Sequence, residues 1–361
     1  MKQVLNYSIH NLIKFRIVRD RKWGFGDLMN LKFSAFQVDE IDKPDIILKI
    51  GKFTPANRDC HLVDHKYYIR ENYLYCRDSA EGATWEVEIL GFEKGEAVIN
   101  FNLIHRPFTQ LSKAVYTFPT LLPQAFLFRL IEHRLGEKGY FLAHAAAVAK
   151  DEQGLLFAGR SGCFKTTLAM EFVRRSGYSW LGDDRVILGG GKILALPLNP
   201  RLLEFMTKHL PDETCWTFAK QLRFLSECLL SKEHENQRHK PDSVNLKAVF
   251  LINKSNNAAR KVNFYPLPQS SFSELVQGFT ISRRLEDFRG MGFSINAPFL
   301  HRYMLAYSFI FPENLLSAQE EKIKGKLRSV FQSVPICAVE IPPKYSPDIF
   351  HQITEFISRN C

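Results

Sequence analysis

Hydrophobic and polar residues alternate along short runs in the first third of the chain. A period of two is typical of strands with one buried and one exposed face. Clusters of glycine, proline, asparagine and aspartate separate the runs, as turns require. The pattern predicts a β-rich N-terminal domain over residues 1–118, with strands in the runs 45–50, 66–70, 72–77, 84–90 and 97–103.

Longer apolar segments follow residue 118. Residues 124–135 have the spacing of an apolar helix that ends before Gly136. Residues 155–158 form a short continuous apolar run, typical of a buried strand, and residues 166–173 return to helical spacing. These segments predict a second domain, 119–361, of α/β type. Its later elements are predicted as a hairpin at 189–191, a strand over 193–196, helices over 204–230, a surface loop over 231–243, strands over 247–252 and 337–341, and a closing helix over 347–359.

A phosphate-binding pattern lies between the predicted strand and helix. Residues 159–166 read GRSGCFKT and fit G-x-x-x-x-G-K-[ST] except at Phe164, where the pattern has glycine. In such a loop, backbone N–H groups and the helix N-terminus surround phosphates, the lysine reaches the outer phosphates, and the hydroxyl ligates Mg²⁺. Phe164 keeps its N–H, but its Cβ excludes some conformations that glycine allows. The predicted nucleotide-binding residues are Gly159, Arg160, Ser161, Gly162, Cys163, Phe164, Lys165, Thr166 and Thr167. The alternative is an ordinary strand-to-helix turn with a surface lysine.

Two consecutive aspartates come after the predicted helix. An apolar run leads to Gly182, Asp183 and Asp184, and a second apolar run follows them. A carboxylate at a strand end beside a phosphate loop can hold Mg²⁺, and a second can take the proton of an attacking hydroxyl. Gly-Asp-Asp is also good turn chemistry, so a plain hairpin turn is the alternative.

His144 stands directly ahead of the strand that leads into the loop. It opens the sequence HAAAV, residues 144–148. A histidine flanked by alanines is commonly a core residue, although such small neighbours also permit close packing of another group against it. The sequence leaves both interpretations open.

Taken together, His144, the loop GRSGCFKTT and the GDD at 182–184 resemble the kinase domain of HPr kinase/phosphorylase and its relatives. The loop region of that family also resembles phosphoenolpyruvate carboxykinase. The likeness covers residues 144–188. It implies an α/β fold, a P-loop kinase core of the HPr kinase/phosphoenolpyruvate carboxykinase type, beside the β-rich N-terminal domain. It further implies transfer of the γ-phosphate of ATP, with Mg²⁺, to a hydroxyl that is usually a serine of a protein or peptide.

The resemblance also implies roles for individual residues. Lys165 would bind phosphates, Thr166 would ligate Mg²⁺, and His144 would contact the transferred phosphoryl group. One aspartate would be the catalytic base and the other a metal partner; Asp183 is taken as the base and Asp184 as the metal ligand.

Two later residues are further candidates. Glu204 is a candidate second metal carboxylate, with a solvated helix face as the alternative. Arg289, within LEDFRGMG, echoes an arginine-glycine-x-glycine signature of the same family. Its alternative is a plain flexible loop.

Composition narrows the function classes. A length of 361 residues favours two domains. The net charge of +10 comes from scattered residues without an aromatic-basic signature, so no nucleic-acid partner is expected. Seven cysteines without a C-x-x-C pair favour reduced thiols over a disulfide framework or zinc site. Without a long apolar run or a secretory signal, the sequence predicts a cytoplasmic protein with no membrane partner.

The main hypothesis is therefore a serine kinase-like phosphotransferase that uses ATP and Mg²⁺. Its partners would be the nucleotide and a protein or peptide that carries the acceptor hydroxyl, and assembly as a homo-oligomer is left open. The alternative is a nucleotide-binding regulator or scaffold with little or no turnover, because Phe164 replaces the loop glycine. A carboxykinase acting on oxaloacetate ranks last, since it needs further basic and metal-binding residues.

Overall fold

The computed structural model describes residues 2–19, 33–80, 82–105, 119–120, 122–159, 162–183, 185–197, 226, 242–255, 261–268, 298–312 and 334–360. These residues divide into two compact units. Residues up to Lys138, together with the helix Pro298–Ile310, belong to the first unit. The described residues 139–197, 242–255, 261–268 and 334–360 belong to the second.

Strands dominate the described residues, with four α-helices between them. The helices are α1 (Leu122–Glu137), α2 (Lys165–Arg175), α3 (Pro298–Ile310) and α4 (Pro347–Asn360). The strands of the first unit are β1 (Gln3–Ile9), β2 (Ile13–Arg19), β3 (Gln37–Val38), β4 (Ile46–Ile50), β5 (His61–Val63), β6 (Tyr67–Arg70), β7 (Tyr73–Ala80), β8 (Ala83–Leu90) and β9 (Ala97–His105). Those of the second are β10 (Phe141–Ala143), β11 (Ala145–Lys150), β12 (Gln153–Ala158), β13 (Ser179–Gly182), β14 (Val186–Gly189), β15 (Lys192–Leu194), β16 (Ser243–Lys254), β17 (Asn263–Pro266) and β18 (Ile336–Ile341).

The first unit is built on a nine-stranded mixed sheet, in the order β3-β1-β2-β4-β9-β8-β7-β6-β5. Strand β4 is parallel to both β2 and β9, and the other pairs are antiparallel. Helices α1 and α3 pack against one face of this sheet. Phe126 of α1 meets Phe101 of β9, and Tyr303 of α3 meets Tyr67 of β6, so alternate apolar residues of the strands form the core.

The second unit contains another nine-stranded mixed sheet. Its main path is β10-β14-β15-β16-β12-β11-β13, and β18 joins β16 and carries β17. Strand β16 is parallel to β12 and β18 and antiparallel to β15. Helix α2 packs on β11, β12 and β13, where Phe172 stacks on Phe157 of β12. Five of the six residues of β11 are buried, so its alanines let the helix approach closely.

The predicted fold class is wrong. The described residues form a mainly β protein with two large mixed sheets and four helices, not the α/β P-loop kinase core of the HPr kinase/phosphoenolpyruvate carboxykinase type. The prediction extended one strand-loop-helix segment, β12 to α2, to a whole domain. Tight turns instead join consecutive strands of the second sheet. Asp151 and Glu152 connect β11 to β12 with positive φ angles of 51° and 59°, and Gly190 and Gly191 connect β14 to β15.

Individual elements agree better with the sequence pattern. The five predicted runs of the first domain correspond to β4, β6, β7, β8 and β9. The predicted segments 124–135, 155–158, 166–173, 247–252, 337–341 and 347–359 fall in α1, β12, α2, β16, β18 and α4. The predicted helices over 204–230, apart from Ser226, and residues 231–241 of the predicted loop lie outside the described residues. The boundary at residues 118 and 119 stays a prediction, and α1 belongs to the first compact unit.

No helix within the described ranges combines the length and the apolar character needed to cross a membrane.

Candidate phosphate-binding site

The pairing of β11 with β12 brings His144 next to the predicted loop. Ala145 lies opposite Ala158 at the end of this antiparallel pair. His144 and Gly159 are the next residues beyond it, so both leave the sheet at the same point. His144 lies at a bend between β10 and β11 and is half-buried.

The aspartate segment lies along the same region. Strand β10 pairs with β14, with Ala143 opposite Val186, and β11 pairs with β13, with Ala147 opposite Gly182. The segments 141–150 and 179–189 therefore run antiparallel along each other, and both are interrupted between these two pairs. His144 lies in one interruption and Asp183 in the other. The sheet thus places His144, Gly159 at the start of the loop, and Asp183 in the same region, although they are separate in the sequence.

The two strands on either side of the aspartate pair do not form the hairpin that the alternative requires. Strand β13 pairs with β11, whereas β14 pairs with β10 and β15. A hairpin turn would join two strands that pair with each other. The carboxylate of Asp183 instead lies at the carboxyl end of β13, in the interruption of the pairing.

Two glycines give the loop its path. Gly159 has a φ of 149°, and a Cβ at this position would lie 2.3 Å from the carbonyl oxygen of Ile252 in β16. A side chain cannot fit there. Gly162 has a φ of 78° with open space around it, so its backbone is accessible to a ligand.

Phe164 adopts the conformation that the glycine of the phosphate-binding pattern would permit. Its φ of 60° and ψ of 19° are left-handed, and its carbonyl oxygen accepts the Leu168 N–H at 2.9 Å in the first turn of α2. A left-handed non-glycine residue costs about 1–2 kcal/mol. The ring packs edge-on against Tyr345, with 5.4 Å between the centroids. Phe164 therefore enters the first turn of α2 in the left-handed conformation that glycine adopts without strain.

Lys165 and Thr166 begin helix α2 and point to two different partners. Lys165 is 7% exposed, and its ammonium donates to the carbonyl oxygen of Gly159 at 2.8 Å, across the loop. The Thr166 hydroxyl donates to Oδ1 of Asp183 at 2.8 Å. Asp183 is also 7% exposed. A hydroxyl and a carboxylate in contact are two hard oxygen ligands, the type that Mg²⁺ prefers.

The other predicted site residues divide into two groups. Thr167 is half-buried on the first turn of α2, and Cys163 is buried with a free thiol. Outside the described residues lie Arg160, Ser161, Asp184, Glu204 and Arg289. Among the residues that are described, no group of three or more His, Cys, Asp or Glu side chains forms a ready metal site. Any metal here would also need phosphate or water oxygens.

The structure adds two residues that the motif did not include. The Nζ of Lys254, the last residue of β16, lies 4.0 Å from the centroid of the Phe164 ring. Tyr345, between β18 and α4, packs on the same ring. Burial is the main cause that raises the pKa of Tyr345, and the Glu171 carboxylate adds to it. No motif signals either residue, because their proximity depends on the parallel pairing of β16 with β12 and β18.

Comparison of the chain with protein-family models found no match, and comparison with curated proteins found none either. The likeness to HPr kinase/phosphorylase therefore rests on the residues of the motif block.

Proposed function

We propose that this protein binds ATP with Mg²⁺ at residues 159–167 and transfers the γ-phosphate to a hydroxyl of a protein or peptide. The observation that carries the proposal is the hydrogen bond of 2.8 Å between Thr166 and Asp183, in which Thr166 directly follows Lys165 on α2. A lysine, a hydroxyl and a carboxylate are the groups that phosphoryl transfer needs around the phosphates. Gly162 and Phe164 support the same proposal, because both have positive φ angles, and left-handed residues help to form the backbone N–H nests that bind anions.

The side chains would change partners when nucleotide binds. The Lys165 ammonium would exchange the Gly159 carbonyl for the outer phosphates, a stronger charge-assisted interaction. Thr166 and Asp183 would hold Mg²⁺ between them, directly or through water. When bound, Mg²⁺ neutralises charge on the phosphates. The acceptor oxygen bonds to the γ-phosphorus as the bond to ADP breaks, and a carboxylate takes the hydroxyl proton.

The hydrogen bond to Thr166 favours the role of metal ligand for Asp183 rather than the predicted role of catalytic base. A carboxylate that shares a cation with Thr166 is poorly suited to accept a proton, because the cation stabilises its charged form. In this proposal the role of base passes to the other residue of the pair, Asp184.

Calorimetric titration with ATP, with and without Mg²⁺, tests the binding step. The protein should bind ATP more tightly with Mg²⁺, and Lys165→Ala should weaken binding about 100-fold, since a buried charged contact is worth about 3 kcal/mol. Lys192→Ala removes an exposed lysine of β15 and serves as the control. An absence of binding heat, or equal losses in the two variants, would overturn the proposal.

A second candidate is a regulator that holds nucleotide without turnover. The observation that favours it is the Phe164 ring, which places bulk at the entry of α2 where the pattern has glycine. Phe164→Gly separates the two functions when transfer from labelled ATP is measured on a peptide library. A gain of turnover in the variant identifies a regulator that lost activity, whereas turnover in both proteins identifies a kinase that tolerates phenylalanine.

A further inference from the structure

Lys254 lies next to the proposed phosphate loop and contacts an aromatic ring of that loop. Its Nζ lies 4.0 Å from the centroid of the Phe164 ring, and Tyr345 holds the same ring at an interplanar angle of 65°. Phe164 directly precedes Lys165. Two lysines therefore lie at the beginning of α2, one from the loop and one from β16.

The sheet places Lys254 at the ligand-facing end of the strands. Strand β16 is parallel to β12, and Leu251 lies opposite Ala158, the last residue of β12. Lys254 is three residues farther along β16, beside the loop that leaves β12. In parallel sheets, ligands bind beyond the carboxyl ends of strands. The contact of Gly159 with the backbone of Ile252 keeps the loop against this end of β16.

The charge of Lys254 is available to an anion. The side chain is exposed, and among the described residues it contacts the Phe164 ring and no carboxylate. A cation over an aromatic ring gains about 0.5–1 kcal/mol at an exposed site. The ammonium has three N–H donors, and its contact with the ring face uses none of them in a conventional hydrogen bond. A phosphate oxygen is a stronger partner than the ring.

We propose that Lys254 is a second phosphate-binding lysine and that it contacts the outermost phosphate of a nucleoside triphosphate. The inference rests on the proposed nucleotide site at residues 159–167. It also assigns a role to Phe164, since the ring that replaces glycine positions Lys254 before nucleotide binds. Lys165 and Lys254 then approach the phosphates from the loop and from β16.

Affinities of the full chain for ATP, ADP and inorganic tripolyphosphate, measured by calorimetry, test this role. Lys254→Met keeps an unbranched side chain over the ring and removes the charge. We expect it to weaken ATP and tripolyphosphate about tenfold and ADP about twofold, because one charge-assisted contact to the outer phosphate is lost. Lys254→Arg should retain most of the affinity. Lys192→Met, at the opposite end of the same sheet beside Asn245, is the matched control and should change each affinity less than about twofold.

The pattern of losses separates the possible outcomes. Equal weakening of ATP and ADP by Lys254→Met would mean that Lys254 only supports the loop, and no weakening would mean that it makes no contact; either result overturns the inference. If Lys165→Ala weakens ATP binding about 100-fold while Lys254→Met does not alter it, the proposed function stands without Lys254. If the unaltered protein binds neither ATP nor tripolyphosphate, the proposed function and the inference both fail.

Discussion

Glu88 in the first unit and Asp183 in the second are both buried carboxylates, yet their partners differ in kind. Glu88 accepts the Ala56 N–H at 2.7 Å, the Tyr73 hydroxyl at 2.9 Å and the Asn100 amide at 2.7 Å. These groups tie a loop and two strands to the strand that carries Glu88. Asp183 accepts a hydrogen bond from the Thr166 hydroxyl, a group that can itself ligate a cation. The chemistry of the partners, rather than burial, separates a carboxylate that stabilises the fold from one that can serve a ligand.

The largest effect should come from Asp183, the carboxylate of the proposed site. Asp183→Asn should lower Mg²⁺-dependent transfer from ATP about 10³-fold, or about 4 kcal/mol, because a neutral amide holds Mg²⁺ poorly. The amide oxygen can still accept the Thr166 hydroxyl, so the free energy of unfolding should change by less than about 1 kcal/mol. Labelled phosphate transfer over a range of Mg²⁺ concentrations and urea unfolding measure the two quantities. A variant that unfolds more easily but transfers at the normal rate would make Asp183 structural, like Glu88.

Glu88→Ala should have the opposite profile. Removal of this carboxylate leaves three donors without their acceptor, so we expect a loss of about 3 kcal/mol in the free energy of unfolding, measured in urea. Affinity for ATP should not change where the protein is folded. Glu86→Ala is the matched control, since Glu86 is half-buried on the same face and accepts from Asn102 at 2.7 Å and from Tyr75 at 3.3 Å. A larger loss for Glu86 than for Glu88 would contradict this assignment.

The sequence anticipated local features of both regions, but not their pairing. Alternation predicted β8 within one residue, because Trp85, Val87 and Ile89 are buried and Glu86 is not. The motif predicted where α2 begins, because a glycine-rich loop must end at a helix for the lysine to reach phosphates. The Glu88 network was not predictable, since residues 56, 73 and 100 meet through strand register alone. Sheet register depends on contacts between distant residues, and a pattern within one strand does not encode it.

The same limit explains the incorrect fold class and the missed lysine. Asp151–Glu152 reads as an ordinary polar pair, and its left-handed hairpin turn has no glycine to signal it. Lys254 follows a long apolar strand as many surface lysines do. Its place beside Phe164 arises because β16 is parallel to β12, a connection that spans the residues between 158 and 243.

Acid should destabilise the first unit through His133 of α1. Burial lowers the pKa of His133 to about 4, partly opposed by the Glu137 carboxylate, from an ordinary value of 6.5. The unfolded chain therefore binds a proton that the folded chain does not, so stability is complete above pH 6.5 and falls as the pH drops toward 4. We expect a loss of about 3 kcal/mol over this interval, and His133→Leu should remove it. His351→Gln, at an exposed position of α4, should leave the acid loss unchanged in urea unfolding at each pH.

The smallest effects are expected from two tyrosine hydroxyls, one in each unit. The Tyr73 hydroxyl donates to Glu88, so Tyr73→Phe should cost about 1–2 kcal/mol in the free energy of unfolding. The buried Tyr345 hydroxyl has no hydrogen-bond partner among the described residues, while its ring holds Phe164. Tyr345→Phe keeps that ring contact and removes a desolvated polar atom, so it should stabilise the protein by up to about 1 kcal/mol. Urea unfolding of both variants gives the sign. If Tyr345→Phe instead destabilises the protein and weakens its affinity for ATP, the hydroxyl supports the loop. Tyr345 then belongs with the groups of the second unit that can serve a ligand, in contrast to the structural network around Glu88.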